Sequence, residues 1–184
     1  MKVSPDKKPP SIGYLTVVRH EHNGWTGGLL VLDNVGRPLE FQCTLPVRPT
    51  RTHEILFGPT LRSHLIAEVI SKALIQKCRC KPSILCCDQI EVLDAESVAD
   101  CPFALVRQAA EEDEGPITGD MLDGYEAIDF VGASFLVAIE QLDRSRDIAQ
   151  SCGDLPDPIE PFERIREAIK EAHSQLARQQ DEAA

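Results

Sequence analysis

Arginine and histidine are concentrated in the proline-containing segment RPTRTH, which holds Arg48, Arg51 and His53. The fixed φ of proline limits the conformations of such a segment, so its side chains can be held in a defined arrangement. A guanidinium group then makes paired hydrogen bonds to a carboxylate or a phosphate. We therefore predict a binding site for an anionic ligand at these three residues, with Arg37 as a further contact. Pairing with the acidic second half of the chain is the alternative.

Two aspartates, Asp33 and Asp88, each directly follow a run of residues that is typical of a strand. Carboxylates gathered at strand ends can hold Mg²⁺, and a bound metal ion can activate water for the hydrolysis of a phosphate ester. Asp33 and Asp88 are therefore the candidate catalytic residues of an alternative in which the protein is an enzyme. In the main interpretation neither is catalytic, and Asp33 stabilises its own turn by hydrogen bonding.

Histidine and cysteine give only partial metal-binding patterns. His20 and His22 are two residues apart, so on a strand they would share a face, and they are the candidate metal ligands. With no third ligand beside them, we predict no metal and no cofactor. Four cysteines at positions 78, 80, 86 and 87 lack paired C-x₂-C spacing. We predict reduced thiols that pack as small apolar groups, and a redox role stays open.

The stretch from 28 to 88 must position these groups, and its pattern predicts a hairpin, a crossover helix and a buried strand. Glycines and an asparagine predict a loop at 20–28, and three prolines predict that the connector at 45–59 is not regular throughout. Thr60 is the predicted N-cap of the helix. The predicted strands are 13–19, 29–33, 39–44 and 83–88, and the helix runs from 60 to about 78.

The second half of the chain has weaker patterns. They predict a short helix at 94–100, a strand at 103–107, an exposed acidic loop at 111–129 and a strand at 134–140. Whether 134–151 is a strand plus a helix or one helix is left open. A helix at 161–178 has a continuous apolar face, which predicts docking through Phe162, Ile165 and Ile169.

These elements predict a mixed α/β fold. Three N-terminal antiparallel strands, a crossover helix and a buried strand would belong to one mixed sheet of 5–6 strands, with 3–4 helices packed on it. The predicted organisation is a flexible lead-in at 1–11, a core domain at 12–152, and a proline-rich spacer with the docked terminal helix at 153–184.

Charge is divided unevenly along the chain. Residues 1–81 hold 12 Lys and Arg against 6 Asp and Glu, whereas residues 82–184 hold 7 against 24, which gives a net charge of −11. A strongly negative protein is repelled by phosphates, so nonspecific nucleic acid binding is disfavoured. No signal-peptide or membrane-span pattern is present, and the unevenly spaced cysteines do not form a disulfide framework. The predicted location is the cytoplasm, without contact to a membrane.

No nucleophile, base and orienting group occur together in the sequence. The leading prediction is therefore a small non-catalytic module that binds an unknown protein partner, with the contact at Arg48–His53. The alternative is a metal-dependent nuclease or another phosphate-handling hydrolase. The predicted element order, with carboxylates at strand ends, resembles that of RNase H-like nucleases, which hold Mg²⁺ on acidic residues over a sheet. The same order also suits profilin-like and roadblock-like modules, which bind proteins.

Overall fold

The structure is a computed structural model that describes residues 9–114, 117, 122–130, 132–152 and 157–182. In this part of the chain the strands form one mixed sheet of seven in the order β3-β2-β1-β4-β5-β7-β6. The strands are β1 (Ile12–His20), β2 (Gly24–Leu32), β3 (Pro38–Cys43), β4 (Ile84–Cys87), β5 (Phe103–Val106), β6 (Tyr125–Phe130) and β7 (Ala133–Ala138).

The direction of the strands changes twice across the sheet. β1, β2 and β3 form an antiparallel meander, β1, β4 and β5 run parallel, and β7 and β6 are antiparallel again. Every residue of β4 and β5 is buried, as expected for strands covered on both faces. The carboxyl ends of β1, β4 and β5 consequently meet at one edge of the sheet.

Helices cover both faces. One face carries a long helical run of α2, a π-helical segment and α3, together with a 3₁₀ helix at Ile90–Val98. The other face carries α6, whose Phe162, Ile165 and Ile169 are fully buried, as their spacing predicts. The helical segments are α1 (Arg51–Phe57), α2 (Leu61–Ser63), the π-helical segment (His64–Ser71), α3 (Lys72–Lys77), α4 (Arg107–Glu114), α5 (Leu142–Ser151) and α6 (Glu160–Glu182).

Adjacent glycines in β2 allow a close approach on both faces. A Cβ on Gly27 would overlap Ile70 of the π-helical segment, and a Cβ on Gly28 would overlap Ile165 of α6. Because successive strand residues point to opposite faces, this pair makes room for one helix on each side.

The mixed α/β class, the N-terminal antiparallel strands, the crossover helix and the buried strand are confirmed. The strand number is higher than the 5–6 predicted, because β6 lies in the segment predicted to be an acidic loop. The residues of that segment at 115, 116 and 118–121 lie outside the described part of the chain. The segment 134–151 is a strand plus a helix, since it contains all of β7 except Ala133 and the whole of α5.

Two local predictions are wrong. The loop predicted at 20–28 is only a short turn, since β1 and β2 pair in register from Ile12↔Leu32 to His20↔Gly24. Thr60 makes no N-cap hydrogen bond, so it does not cap a helix as predicted. The connector is not regular throughout, as its prolines predict, and within it α1 begins at Arg51 with Thr50 as N-cap. No helix in the described residues is long and apolar enough to cross a membrane. Most of the predicted lead-in and residues 153–156 of the spacer lie outside the described part.

Candidate functional site

A pocket of about 190 Å³ opens where β1 and β4 end. In open α/β sheets, ligands bind in the crevice outside the carboxyl ends of the strands. The pocket combines backbone and side chains of β1 with polar residues from three other parts of the chain. Its lining residues are Thr16, Val17, Val18, Arg19, Trp25, Arg62, Asp88, Gln89 and Arg166, and we call it the arginine pocket.

Asp88 forms the buried anionic centre of the arginine pocket. It directly follows β4, and only 1% of its surface is exposed. Its Oδ2 atom accepts a hydrogen bond from the Thr16 hydroxyl at 2.8 Å and another from Arg166 Nη2 at 2.6 Å. A buried carboxylate needs such partners, because the cost of removing its charge from water is large. The three side chains therefore form one connected polar unit.

Gln89 fixes the backbone beside this unit. Its side-chain Oε1 accepts from the Val17 amide at 2.9 Å, and its Nε2 donates to the Val17 carbonyl at 2.9 Å. The amide side chain thus makes the pair of bonds that a further strand residue would make, after the β1–β4 ladder has ended at Leu15 and Cys87. This arrangement holds the end of β1 in place beside Asp88.

Two further arginines flank a tryptophan at the rim. The guanidinium carbons of Arg19 and Arg62 lie 5.4 and 5.7 Å from the centre of the Trp25 ring, which is within cation–π range. Arg62 Nε also pairs with Glu91 at 2.5 Å. Together with Arg166, these side chains give the pocket an excess of positive charge around one buried carboxylate, which suits an anionic ligand.

The structure does not bring the two sequence-predicted aspartates together. Asp33 lies beside the start of β1 and Asp88 beside Thr16, so they are about five residues, or roughly 16 Å, apart along the strands. Asp33 accepts from the amides of Val35 at 3.0 Å and Arg37 at 2.8 Å, which makes it a turn residue. Arg37 is therefore also at the far end of the sheet.

The predicted basic segment lies at the same end as the arginine pocket. An isolated bridge pairs Val47 with Trp25, and Arg48 Nε donates to the Asn23 carbonyl at 3.3 Å. Arg51 and His53 belong to the first turn of α1, where Arg51 pairs with Glu54 at 3.0 Å and remains mostly exposed. These residues are beside the pocket and not among those that line it.

The candidate metal ligands His20 and His22 are separated by their environments. His20 ends β1 and packs edge-on against His173 of α6, with ring centres 4.9 Å apart, whereas His22 is exposed in the turn. Burial and the nearby His20 lower the pKa of His173. No group of three or more His, Cys, Asp or Glu residues in the described part of the chain could hold a metal ion.

All seven cysteines are free thiols, and the adjacent pair in β4 is fully buried. Cys87 packs in the core beneath the π-helical segment and Cys86 in the core beneath α6, as alternation along a strand predicts. Burial raises the pKa of both thiols. Their environment is that of small apolar groups.

Sequence reasoning missed Thr16, Arg62, Gln89 and Arg166 as site residues. Gln89 directly follows the predicted strand 83–88, and this position was the available signal, whereas Thr16 lies within the predicted strand 13–19. Arg166 gives no such signal, because its contact with Asp88 joins residues that are 78 positions apart.

Comparison with known proteins gives structural similarity only. No family model and no curated protein sequence matches the chain. The fold is similar to the crystal structure of human ENDOV, with a TM-score of 0.48 and 13% identity over 89% of this chain and 86% of that one. It is also similar to Ciona intestinalis Endonuclease V in complex with a 24mer DNA containing an inosine, with a TM-score of 0.47 and 13% identity over 89% of this chain and 87% of that one.

These similarities correct two sequence predictions. The similar structures are those of an endonuclease, and the Ciona intestinalis protein is bound to DNA. They contradict the prediction of a non-catalytic protein-binding module and the prediction that nucleic acid binding is disfavoured. The second error came from net charge, which sums over the whole chain, whereas arginines converge locally on one pocket. At this level of identity the similarity describes the fold alone.

Proposed function

We propose that this protein acts on nucleic acid and binds a phosphodiester group of the strand in the arginine pocket. The observation that carries the proposal is the convergence of Arg19, Arg62 and Arg166 on one pocket at the carboxyl ends of β1 and β4. Arginine forks match the geometry of phosphate oxygens, and phosphate contacts supply much of the affinity of proteins for nucleic acids.

The charge of the pocket fits one phosphodiester. Of the three lining arginines, Arg166 pairs with the carboxylate of Asp88 and Arg62 pairs with Glu91. A net charge of about +1 therefore remains to meet the single negative charge of a phosphodiester. Burial of Asp88 keeps its carboxylate from reaching the ligand, so the rim and not the floor meets the phosphate.

A polymeric ligand is favoured over a single small anion by the surface beside the pocket. Arg48 and Arg51 lie at the same end of the sheet and are exposed, so they extend the positive surface beyond the pocket. A row of arginines along one end can follow successive phosphates of a strand. The sequence-predicted anion site thus becomes the outer part of this surface in our proposal.

Cleavage of the bound strand is the second candidate function. It is favoured by the carboxylate of Asp88 at the end of a central strand, which lines the same pocket as the three arginines and, being buried, would act on the ligand through its partner Arg166 and not by direct contact. The cytoplasmic location predicted from the sequence is kept as part of the proposal, since seven free thiols suit a reducing compartment.

The test is fluorescence anisotropy with labelled single-stranded and double-stranded oligonucleotides of DNA and RNA. We expect Arg19→Ala and Arg62→Ala each to weaken binding about tenfold, and binding to fall steeply with added salt. Arg146→Ala is the matched control, because Arg146 is a half-exposed arginine that pairs with Glu126 on the edge strand β6, three strands away from β4. Equal losses in all three variants, or no binding by the wild type, would refute the proposal. The same samples, run on denaturing gels with Mg²⁺ and with chelator, report cleavage.

A further inference from the structure

The RNase H-like element order implies a divalent metal on clustered carboxylates, and the residues of the arginine pocket do not fit one. Asp88 is the single carboxylate among the described residues that line it. Mg²⁺ prefers octahedral oxygen coordination and in proteins is bound through carboxylates together with water and substrate phosphate. Here the Oδ2 atom of Asp88 already accepts from a hydroxyl and from a guanidinium at 2.8 and 2.6 Å.

We propose that Arg166 is the built-in cation of this pocket, occupying the position at Asp88 that the element order would give to a metal. The ligand part of this inference rests on the proposed function, whereas the pairing of Arg166 with Asp88 stands on the geometry alone. Phosphate is then recognised by arginine without a divalent ion, and Arg166 is a binding residue that the terminal helix supplies to the sheet.

The packing of α6 fixes Arg166 in this position. Phe162 precedes it by one helical turn and Ile169 follows it by three residues, and both are fully buried against the sheet. Ile165, its direct neighbour, packs into the space left by Gly28 of β2. An arginine between such anchors has a defined height and rotation over the sheet, which a long exposed side chain otherwise lacks.

Arg166 can contact Asp88 and a ligand together. A guanidinium group carries five N–H donors in a planar fork, and the contact with Asp88 is made from Nη2. The side chain is 42% exposed and belongs to the pocket lining, so its outer part faces the space where we place the phosphate. Asp88 in turn orients the fork through this charge-assisted hydrogen bond.

The experiment measures metal and oligonucleotide binding separately. Mn²⁺ binding to the wild type and to Asp88→Asn is followed by electron paramagnetic resonance, and oligonucleotide binding by anisotropy in Mg²⁺ and in chelator. We expect the same Mn²⁺ binding in both proteins and the same oligonucleotide affinity in both buffers. Arg166→Ala should weaken oligonucleotide binding about tenfold, and Arg166→Lys should recover part of it because it restores charge without the fork.

The outcomes separate this inference from the proposed function. One Mn²⁺ bound to the wild type and lost in Asp88→Asn would overturn the inference, as would oligonucleotide binding or cleavage that requires Mg²⁺. A wild type that binds no oligonucleotide would overturn the proposed function, and the Mn²⁺ comparison would still decide the inference.

Asp88→Asn keeps the shape of the side chain and an oxygen for Thr16 and Arg166, so it is the variant least prone to misfolding. Should Arg166→Ala not fold, Arg166→Lys and the wild-type buffer comparison decide the result.

Discussion

The backbone of Gly28 lies so close to Ile165 that no Cβ fits between β2 and α6. At this contact the terminal helix, which carries Arg166, packs directly on the backbone of β2. Gly27 has the same relation to Ile70 on the opposite face. Each of two consecutive glycines therefore leaves the space that one helical layer fills.

Gly28→Ala should push α6 away from the sheet. Overpacking of this kind costs about 1–3 kcal/mol, and we expect a loss of stability in that range. Hydrogen exchange should show faster exchange in α6, with the π-helical segment little changed. Gly27→Ala is the matched comparison and should give the reverse pattern, since its neighbours are Ile70 and Leu74. If α6 and the π-helical segment were each equally protected from exchange in the two variants, the packing of these helices would not depend on the two glycines.

Removing Arg166 should destabilise the fold through Asp88. Loss of one partner of a buried ion pair costs about 3–5 kcal/mol, and because water reaches the partly exposed Arg166 we expect about 2 kcal/mol for Arg166→Ala. Adding Asp88→Asn should recover much of that loss, because no unpaired charge then remains buried. A double-mutant cycle from urea unfolding measures this coupling. Strictly additive effects of the two substitutions would contradict an energetic link between them.

Buried thiols should be protected from alkylation in the folded protein. Cys86 and Cys87 are fully buried and their pKa is raised by burial, so little thiolate is available to react. Cys43 is exposed on β3 and should be labelled first, although burial of part of the side chain raises its pKa too. Mass spectrometry after timed iodoacetamide treatment gives the order, and labelling in concentrated guanidinium chloride shows the complete reaction. Early labelling of Cys86 or Cys87 would indicate that the core opens.

The N-terminal half of the fold could be predicted from the sequence because its patterns are local. The β-forming residues of β1 and the helical spacing of Leu65, Ile66 and Ile70 are visible within short windows, and most of these residues are buried in the structure. Gly27 and Gly28 were assigned to a loop because glycine usually marks turns. Here they are strand residues that admit helices, a role that depends on partners far away in sequence.

Two other features could not be predicted from the sequence, one because of its polar composition and one because its partners are far apart in sequence. β6 was missed because Glu126 and Asp129 are exposed on an edge strand, so the segment reads as polar although Ile128 and Phe130 are buried. Asp88 was identified as a candidate from its position after a strand. Its partner Arg166 could not be, because no local rule links a helix arginine to an aspartate 78 residues earlier.

Glu40 ties the edge strand β3 to the segment after α3. Its carboxylate accepts from the backbone amides of Arg79 and Cys80 at 3.0 and 2.6 Å, and from the side chain of Gln42. Burial tends to raise the pKa of Glu40, but the Cys80 amide, the Gln42 side chain and the Arg79 amide together lower it from 4.5 to about 2. The carboxylate form is therefore the one that stabilises the fold.

This lowered pKa predicts a defined loss of stability in acid. Because the pKa of Glu40 is lower in the folded than in the unfolded chain, its contribution is present above pH 4.5 and is lost as the pH falls towards about 2. Urea unfolding of the wild type and Glu40→Gln over this range should show a stability difference that shrinks with falling pH. Glu68→Gln is the control, since Glu68 is half-exposed and pairs with Lys72, four residues further along the same helical run. The prediction is wrong if the difference in the free energy of unfolding between wild type and Glu40→Gln stays constant down to the lowest pH. The hydrogen bonds from the amides of Arg79 and Cys80 would then not depend on the charge of Glu40.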